Sequence, residues 1–297
     1  MIKIRIPATS ANLGAGFDSL GLAVNLYNYV YIEENETLQI AAIDKTEIPI
    51  GKNNLIYSSA AHLFQLCGKE PLPLRIRQAN LIPMARGLGS SSACIVAGLI
   101  GANVLLGHPF SEDELVNIAA KIEGHPDNVA PAFFGGIVTS VFDGQRVHWV
   151  KQQVEEKLSF FAIVPNFEMQ TEIVRKMLPK QLTFEDAVFN ISRAALFSAS
   201  LLQGKYENLK VAAQDRLHQK KRLAMIRGGE DIFNYCYELG AYAVYISGAG
   251  PTIMAITEDK NPFFSLRMRE FLDQMRLIDY DIFQLSVDND GVQVYIG

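Results

Sequence analysis

Apolar and polar positions along the chain follow two periods, which together predict a mixture of strands and helices. Residues 2–7 and 72–79 alternate between the two kinds of side chain, as a half-buried strand does. Asn54 to Leu66 carries apolar residues at helical spacing, and Ser111 with Glu114 forms a capping box that starts another helix. Further strands are expected at 21–32, 37–43, 137–142, 159–164, 243–246, 253–256 and 282–287, and further helices at about 90–106, 263–276 and over most of 183–240.

Segments rich in glycine, proline and small polar residues separate these elements. Residues 8–20 are expected to be a loop, residues 124–136 are dense in glycine and proline, and Asp143-Gly144 between two apolar runs predicts a hairpin. The order of strands and helices is not a regular βαβ series, which favours an α+β fold. A length of 297 residues allows two domains, and we place their boundary near residue 150, giving domains 1–150 and 151–297.

Composition narrows the class of protein. The chain is 49% hydrophobic and 20% charged with a net charge of -5, so it lacks the basic surplus of a protein that binds nucleic acid. No apolar run reaches the roughly 18–20 residues that span a bilayer, and no membrane partner is expected. The cysteines Cys67, Cys94 and Cys236 are widely spaced, which fits a reducing, cytoplasmic location and buried, unpaired thiols.

The segment from Pro83 to Ala93, PMARGLGSSSA, has the composition of a phosphate-binding loop. Two glycines permit a tight loop without side chains, and three serines follow where a helix would begin. A helix N-terminus offers unpaired N–H donors and a partial positive charge, so it favours a phosphate. The loop therefore predicts a nucleotide site and makes a phosphotransferase the leading hypothesis.

Other interpretations of the glycine loops stay open at this point. The segment could be an ordinary loop with a serine N-cap. It is not a Walker A loop, because no Gly-Lys-Ser/Thr ends it. A Rossmann dehydrogenase is disfavoured, because Ser92 and Ser19 stand where a dinucleotide fingerprint starting at Gly87 or Gly14 needs its third glycine.

A third glycine-rich loop, SGAGPT at 247–252, lies between two apolar runs and would by itself indicate a structural hairpin or a close approach to a ligand. Together with PATSANLG at 7–14 and Pro-x-x-x-Gly-Leu-Gly-Ser-Ser at 83–91, it closely resembles the three motifs of the GHMP kinase superfamily, in their order and spacing. The finer resemblance is to the homoserine kinase branch. It rests on SANLGAGFD at 10–18, HPDNVAP at 125–131, Thr171 with Arg175, and DRLHQ at 215–219 followed by Arg222. Lys220-Lys221 departs from the Pro-Tyr common before that last arginine.

The resemblance implies a fold and a reaction. The fold is a pair of α+β domains, of which the N-terminal one contains the phosphate loop and a left-handed βαβ unit, with ATP and the acceptor meeting between the two. The reaction is the ATP-dependent phosphorylation of the side-chain hydroxyl of L-homoserine to O-phospho-L-homoserine, a step of threonine biosynthesis, with Mg²⁺ as cofactor. Phosphoryl transfer of this kind tolerates positioning and charge stabilisation without a strong base. The resemblance also allows a homodimer.

The resemblance implies an ATP side of the site. Glu123 is the candidate carboxylate for Mg²⁺, with Ser91 or Ser90 supplying a hydroxyl, although an exposed glutamate at a helix end is the plainer interpretation. Ser91, Glu123 and Asn128 are the expected catalytic residues. ATP is expected to contact Pro83, Arg86, Gly87, Leu88, Gly89, Ser90, Ser91, Ser92 and, in the adenine pocket, Asn54, with Ser247, Gly248, Ala249 and Gly250 forming the third glycine loop.

The resemblance also implies an acceptor side. Arg175 and Arg222 would bind the amino-acid carboxylate, since arginine offers a planar two-point fork. Asp18 would hold the ammonium, although an aspartate in a glycine-rich loop is more often a turn residue. The remaining expected contacts are Asn12, Asn128, Thr171 and His125, with His125 shaping the pocket rather than acting as a base, and Asp127 capping a helix that starts near Val129.

Two further hypotheses remain. A sister GHMP kinase acting on mevalonate or a sugar would share the ATP motifs, but those acceptors lack one or both charges of an amino acid. A catalytically inert GHMP-fold regulator could bind a small ligand, although the intact serine loop and Glu123 argue against it.

Overall fold

The computed structural model describes residues 1–154, 157–259 and 261–297. Within these ranges the chain forms two β-sheets with helices packed against them. The strands are β1 (Ile2–Ala11), β2 (Leu20–Glu34), β3 (Gln39–Ala42), β4 (Leu74–Ala79), β5 (Ile137–Phe142), β6 (Val147–Gln152), β7 (Leu158–Val164), β8 (Ala243–Ile246), β9 (Ile253–Glu258), β10 (Asp281–Leu285) and β11 (Gln293–Ile296). The helices are α1 (Leu55–Leu66), α2 (Ser90–Leu105), α3 (Glu112–Glu123), α4 (Val129–Phe134), α5 (Thr171–Lys176), α6 (Phe184–Leu202), α7 (Leu209–Ala212), α8 (Gln219–Leu223), α9 (Gly229–Glu238) and α10 (Phe264–Gln274).

The larger sheet has seven strands in the order β11-β1-β2-β4-β3, with β5 pairing with β2 and β6 with β5. Alternation along β1 buries Ile2, Ile4 and Ile6 on one face, where α2 packs. A β-bulge between Pro7 and Ala8 then shifts the register with β2, and the strand continues to Ala11. The expected loop at 8–20 therefore begins only at Asn12, because the residues before it are still paired in the sheet.

One parallel pair interrupts this antiparallel sheet. β3 and β4 run parallel and are joined through α1, which gives the βαβ unit that the resemblance implies. Helix α1 lies close against α2, since a Cβ at Gly98 would come within 2.2 Å of the Ile56 carbonyl oxygen. The left hand of this crossover stays a prediction.

The smaller sheet is antiparallel, in the order β10-β7-β9-β8. All of β7 is buried, which explains why this strand reads as a continuous apolar run rather than as an alternation. Helices α9 and α10 pack on this sheet, where the rings of Phe161 and Phe264 stack at 4.1 Å. Two sheets with helices make the α+β architecture that the sequence predicts.

The chain returns to the larger sheet at its end. The predicted boundary at residue 150 falls inside β6, and β11 pairs with β1, with Ile296 opposite Ile2. The pattern did not reveal β11, because three of its four residues are exposed and give no alternation. The division into domains 1–150 and 151–297 stays a prediction, and the larger sheet takes strands from both parts.

The segment 183–240 is mostly helical, as predicted: the 19-residue helix α6 is followed by the shorter helices α7, α8 and α9. Gly204 and Gly228 both have a φ of 66°: Gly204 follows the C-cap of α6, and Gly228 is the N-cap of α9. Within the segment 124–136, which is dense in glycine and proline, the six-residue helix α4 begins at Val129, where a helix start is predicted. The hairpin at Asp143-Gly144 is confirmed, since it joins β5 to β6. Among the described residues, no helix is both long enough and apolar enough to cross a membrane.

Candidate active site

The phosphate loop joins β4 to α2 and leaves the start of that helix uncapped. Ala85, Gly87 and Gly89 have positive φ values, and Gly89 is the N-cap residue, in the left-handed conformation and without a side chain to bond the first turn. A serine N-cap is therefore the wrong interpretation of this segment. Gly89, Ser90 and Ser91 line the cleft at the start of this 16-residue helix, where uncapped N–H groups can bind an anion.

Close backbone packing explains the two glycines of the loop. A Cβ at Gly87 would lie 2.2 Å from the Ser247 carbonyl oxygen, and a Cβ at Gly89 would lie 1.9 Å from Thr9 Oγ1. The third glycine loop holds the phosphate loop in this position through two hydrogen bonds. Ser247 Oγ donates to the Gly87 carbonyl oxygen at 2.5 Å, and Thr252 Oγ1 donates to the Arg86 carbonyl oxygen at 2.5 Å. The loop at 247–252 is thus a hairpin between β8 and β9 that also supports the phosphate loop.

Two serine hydroxyls at the start of α2 contact one carboxylate. Ser91 Oγ donates to Glu123 Oε2 at 3.2 Å, and Ser92 Oγ donates to Oε1 at 3.0 Å. Glu123 is the last residue of α3, and it is only partly exposed. The arrangement brings oxygen donors next to the phosphate-binding end of α2, and oxygen ligands are what Mg²⁺ prefers.

On the opposite wall, Asp18 and Arg175 form a two-point ion pair. Arg175 Nη1 donates to Asp18 Oδ2 at 3.0 Å and Nη2 to Oδ1 at 2.5 Å, and each side chain is about one-third exposed (34% and 33%). Asp18 has a φ of 54° in the loop after β1, where its N–H donates to Asn12 Oδ1 at 3.1 Å. It is therefore a turn residue in conformation, and its carboxylate also lines the cleft.

The second arginine of the cleft is deeply buried. Arg222, on α8, is 3% exposed, and its Nη1 donates to the Gly248 carbonyl oxygen at 2.5 Å. Asn12 Nδ2 donates to the same oxygen at 2.9 Å. Burial, together with the neighbouring charge of Arg175, lowers the pKa of Arg222 to about 10, so the side chain stays charged at neutral pH. Lys220-Lys221 does not displace Arg222, because Lys221 Nζ donates to the Met177 carbonyl oxygen at the end of α5 instead.

The residues before α4 connect the two walls. His125 Nδ1 lies 2.5 Å from Asp127 Oδ1, and Thr9 Oγ1 donates to Asn128 Oδ1 at 2.9 Å. Burial acts to lower the pKa of His125, but the hydrogen bond and charge of Asp127, with the charge of Glu123, outweigh it and raise the pKa above its ordinary value. The expected helix cap by Asp127 is wrong: Asn128 is the N-cap of α4 and makes no side-chain cap bond, while Asp127 bonds the imidazole.

The structure gathers most of the predicted residues around one cleft. Those lining it are Asn12, Asp18, Arg86, Gly87, Gly89, Ser90, Ser91, Glu123, His125, Asn128, Thr171, Arg175, Arg222, Gly248 and Ala249. Pro83, Leu88, Ser92, Ser247, Gly250 and Asn54 do not line it. Leu88 is a core residue, and Asn54 is the N-cap of α1, with its Oδ1 accepting from the N–H groups of Ile56 and Tyr57. The structure gives Asn54 this structural role, and its place in an adenine pocket stays a prediction.

Sequence reasoning missed Phe17, Ala85, Asp127 and Met169 as lining residues. Phe17 lies near both arginines, with its ring centroid 5.2 Å from Arg175 Cζ and 5.4 Å from Arg222 Cζ. Its position inside the glycine-rich segment, next to Asp18, was the available signal. Ala85 and Met169 are joined by the backbone bond from the Met169 N–H to the Ala85 carbonyl oxygen, which no local pattern encodes.

A second group of metal-ligating atoms lies within the cleft. One atom each of Asp18, His125 and Asp127 lie within 4.8 Å of one another. Asp18 is already neutralised by Arg175, and Asp127 is bonded to His125. The group at Glu123 supplies oxygen atoms only and adjoins the phosphate loop, so it fits Mg²⁺ better than a group that includes an imidazole nitrogen.

One cleft is lined by an uncapped helix N-terminus, a carboxylate and two arginines, which suits a phosphotransferase that acts on a small molecule. Comparisons with known proteins agree. Residues 54–136 match the model of the GHMP kinases N terminal domain, and residues 197–274 match that of the GHMP kinases C terminal domain. A protein named homoserine kinase from Clostridium beijerinckii is 46% identical over 299 residues, covering 100% of this chain and 99% of that protein.

Further relatives agree over the full length. A homoserine kinase from Caldicellulosiruptor bescii is 43% identical, covering 99% of this chain and 97% of the relative. The crystal structure of homoserine kinase from Cytophaga hutchinsonii superposes with a TM-score of 0.89 at 29% identity, covering 99% of this chain and 97% of that one. The chain belongs to the GHMP kinase family, in its homoserine kinase branch.

Proposed function

We propose that this chain transfers the γ-phosphoryl group of ATP to the side-chain hydroxyl of L-homoserine, giving ADP and O-phospho-L-homoserine. One observation carries the proposal beyond the family: the cleft has an anion-binding helix N-terminus on one wall and, on the other, an aspartate paired with an arginine beside a second, buried arginine. The first wall suits a triphosphate, and the second suits a molecule with both a carboxylate and an ammonium.

On the nucleotide wall, the N–H groups of residues 90–92 and the backbone of the phosphate loop hold the phosphates. Glu123 with the Ser91 hydroxyl would hold Mg²⁺, which usually takes one or two protein carboxylates together with phosphates and waters. The ion supplies neutralisation of the triphosphate charge. Arg86 stabilises the phosphate loop through two hydrogen bonds. Its Nε donates to the Pro165 carbonyl oxygen at 3.1 Å, and its Nη1 donates to the Met84 carbonyl oxygen at 3.0 Å.

On the acceptor wall, binding of the amino acid replaces the ion pair between Asp18 and Arg175 with two others, one at the ligand's ammonium and one at its carboxylate. A pair that is one-third exposed contributes only about 0–1 kcal/mol, so a ligand that satisfies both partners replaces it at little cost. The amino-acid carboxylate takes Arg175 and Arg222, and the ammonium takes Asp18. Mevalonate carries only a carboxylate and would leave Asp18 uncompensated, and a neutral sugar would form neither ion pair, so both acceptors are disfavoured.

Transfer then depends on position. Asn12 and Asn128 are held by Gly248 and Thr9, so their amides have fixed orientations from which to hydrogen-bond the amino acid. Thr171 begins α5, one turn before Arg175, and can contact the same ligand. Because phosphoryl transfer depends mainly on alignment and on stabilising charge, this wall needs no strong base. Cytoplasmic location and homodimer formation stay predictions.

The test is ADP release with Mg·ATP against a panel of L-homoserine, D-homoserine, L-serine, L-threonine, mevalonate and galactose. We expect selective turnover of L-homoserine. Mevalonate and galactose lack one or both charges, L-serine and L-threonine carry the hydroxyl one carbon closer, and D-homoserine has the opposite configuration. Turnover of mevalonate or galactose instead would retain the family and overturn the acceptor. ATP binding without any turnover would favour the inert regulator.

A further inference from the structure

Arg222 is a buried cation whose hydrogen bonds all go to neutral groups. Its Nη1 donates to the Gly248 carbonyl oxygen and, at 3.1 Å, to His218 Nδ1, while its Nε is buried without a hydrogen-bond partner. Within the described ranges no carboxylate forms a salt bridge with it. The Arg222 guanidinium can bind the acceptor's carboxylate well only if it is held in one orientation. An arginine without such support loses side-chain entropy on binding, because its side chain has many rotamers.

His218 lies directly behind Arg222, and its two partners fix its protonation. His218 Nε2 is 2.9 Å from the Gly14 carbonyl oxygen, which can only accept, so this nitrogen carries the proton. Nδ1 faces a guanidinium N–H, which can only donate, so Nδ1 is the acceptor. The ring is therefore neutral. Burial, with a further contribution from the charge of Arg222, lowers its pKa to about 4, although the charge of Asp215 acts in the opposite direction.

The imidazole is itself held from several sides. The His218 N–H donates to Asp215 Oδ2 at 2.6 Å, and Asp215 Oδ1 accepts from Asn190 Nδ2 at 2.6 Å. The ring lies 5.2 Å from that of Phe17. Its bond to Gly14 ties it to the loop that carries Asp18, so His218 connects the two elements that face the acceptor's opposite charges.

We propose that His218 is a positioning residue for the acceptor: it fixes the Arg222 guanidinium toward the carboxylate without touching the substrate. His218 is not among the residues lining the cleft, which separates this role from that of a binding residue. The inference rests on the proposed function. Because binding geometry is sensitive to shifts of about 1 Å, losing the Nδ1 acceptor should weaken acceptor binding between about tenfold and a hundredfold.

Two variants separate the two ring nitrogens. His218→Asn keeps an acceptor near the position of Nδ1 and gives up the bond to Gly14, whereas His218→Gln extends an amide toward Gly14 and leaves no acceptor at Nδ1. The homoserine KM should stay within a few-fold of wild type in the Asn variant and rise at least about tenfold in the Gln variant, with the ATP KM unchanged in both. Both substitutions are polar and of similar size, so each serves as the folding control for the other.

A double-mutant cycle completes the test. If His218 acts through Arg222, then His218→Gln should not raise the homoserine KM further in an Arg222→Ala background. Equal homoserine KM values in the Asn and Gln variants, a rise shared by the KM for ATP, or additive effects in the cycle would each overturn the proposal. Failure of the wild-type protein to phosphorylate homoserine would instead overturn the proposed function, so the two failures are distinguishable.

Discussion

Arg175 and Arg222 both lie near the ring of Phe17, but their environments differ. Arg175 is one-third exposed and paired with Asp18 through two hydrogen bonds. Arg222 is almost completely buried and, among the residues that the structure describes, is bonded only to uncharged groups. The exposed pair is weak and exchangeable. The buried cation is fixed, so the two residues offer the acceptor one movable and one rigid contact.

Replacing the exchangeable arginine should affect the acceptor alone. Each hydrogen bond to a charged group contributes about 1.5–3 kcal/mol, so Arg175→Ala should raise the homoserine KM on the order of tenfold to a hundredfold and leave the ATP KM near wild type. Steady-state kinetics with either substrate varied measures both constants. Arg175→Lys is the matched control: it retains the charge but not the fork, and we expect an intermediate KM. An unchanged homoserine KM in the alanine variant would remove Arg175 from the carboxylate site.

The role of an individual residue could be predicted where a family motif contains it. It could not be predicted where a neighbouring group takes the hydrogen bond that the local pattern suggests. Asp18 and Arg175 are 157 positions apart, and only the family motifs indicate that they belong to one site. Asp127 precedes a helix start, where a cap is the ordinary role of aspartate, but the imidazole of His125 takes its carboxylate instead. Asn54 shows the reverse, because a residue expected in the ligand pocket is used as a helix cap.

At the scale of elements, the N-terminus of α2 can bind an anion because no side chain caps its first turn. Its N-cap is a glycine without a side chain to satisfy the first turn, and its serine hydroxyls bond Glu123 on α3. An anion at this end is stabilised both by the free N–H groups and by the helix dipole.

Removing the oxygen donors at this end should impair the use of Mg·ATP. Ser91→Ala and Glu123→Gln should each raise the Mg²⁺ concentration needed for half-maximal rate by about 10–100-fold, with a smaller effect on the homoserine KM. Titrating Mg²⁺ at fixed ATP measures this directly. Ser58→Ala, which removes a hydroxyl bonded to the Leu55 carbonyl oxygen on α1, is the control and should behave as wild type. Equal damage to the use of both substrates, together with lower thermal stability, would show that Ser91 is structural.

Helices and strands with a long or clear pattern of apolar residues could be predicted from the sequence, whereas short ones could not. Helix α3 has its capping box and β4 its alternation, and both occur where the pattern predicts them. Helix α5 has six residues, of which only Val174 is buried, so the period is too short to detect. The extension of β1 past Pro7 depends on pairing with β2, which is a tertiary effect.

At the scale of the whole molecule, β1 brings the two sheets together at the cleft. Near its end, Ser10 Oγ lies 2.7 Å from Ser247 Oγ and 3.2 Å from the hydroxyl of Tyr245 on β8. The Gly248 N–H donates to the Ala11 carbonyl oxygen at 3.1 Å. The glycine loops thus hold one another, which explains why all three motifs occur together in one chain.

The pairing of β11 with β1, which returns the chain to the larger sheet, could not be predicted from the sequence. Asp288 is 5% exposed, accepts from the Tyr27 hydroxyl at 2.8 Å and from the Gly291 N–H at 2.6 Å, and so anchors the turn that leads into β11. Tyr27 and Asp288 are 261 positions apart, and no motif links them. The resemblance implied the two-domain α+β plan, while this closing strand required the three-dimensional structure.

The most direct test of the account is to identify the phosphorylated product. Incubation with Mg·ATP and L-homoserine, followed by phosphorus NMR and mass spectrometry, should show a phosphomonoester on the side-chain oxygen, with the amine and carboxylate free and one ADP formed per product. This result is expected because, in the proposed binding mode, Arg175, Arg222 and Asp18 take both amino-acid charges and leave the side-chain hydroxyl free to react. A phosphate on the carboxylate or the amine, or ADP formed without any phosphorylated amino acid, would contradict the account.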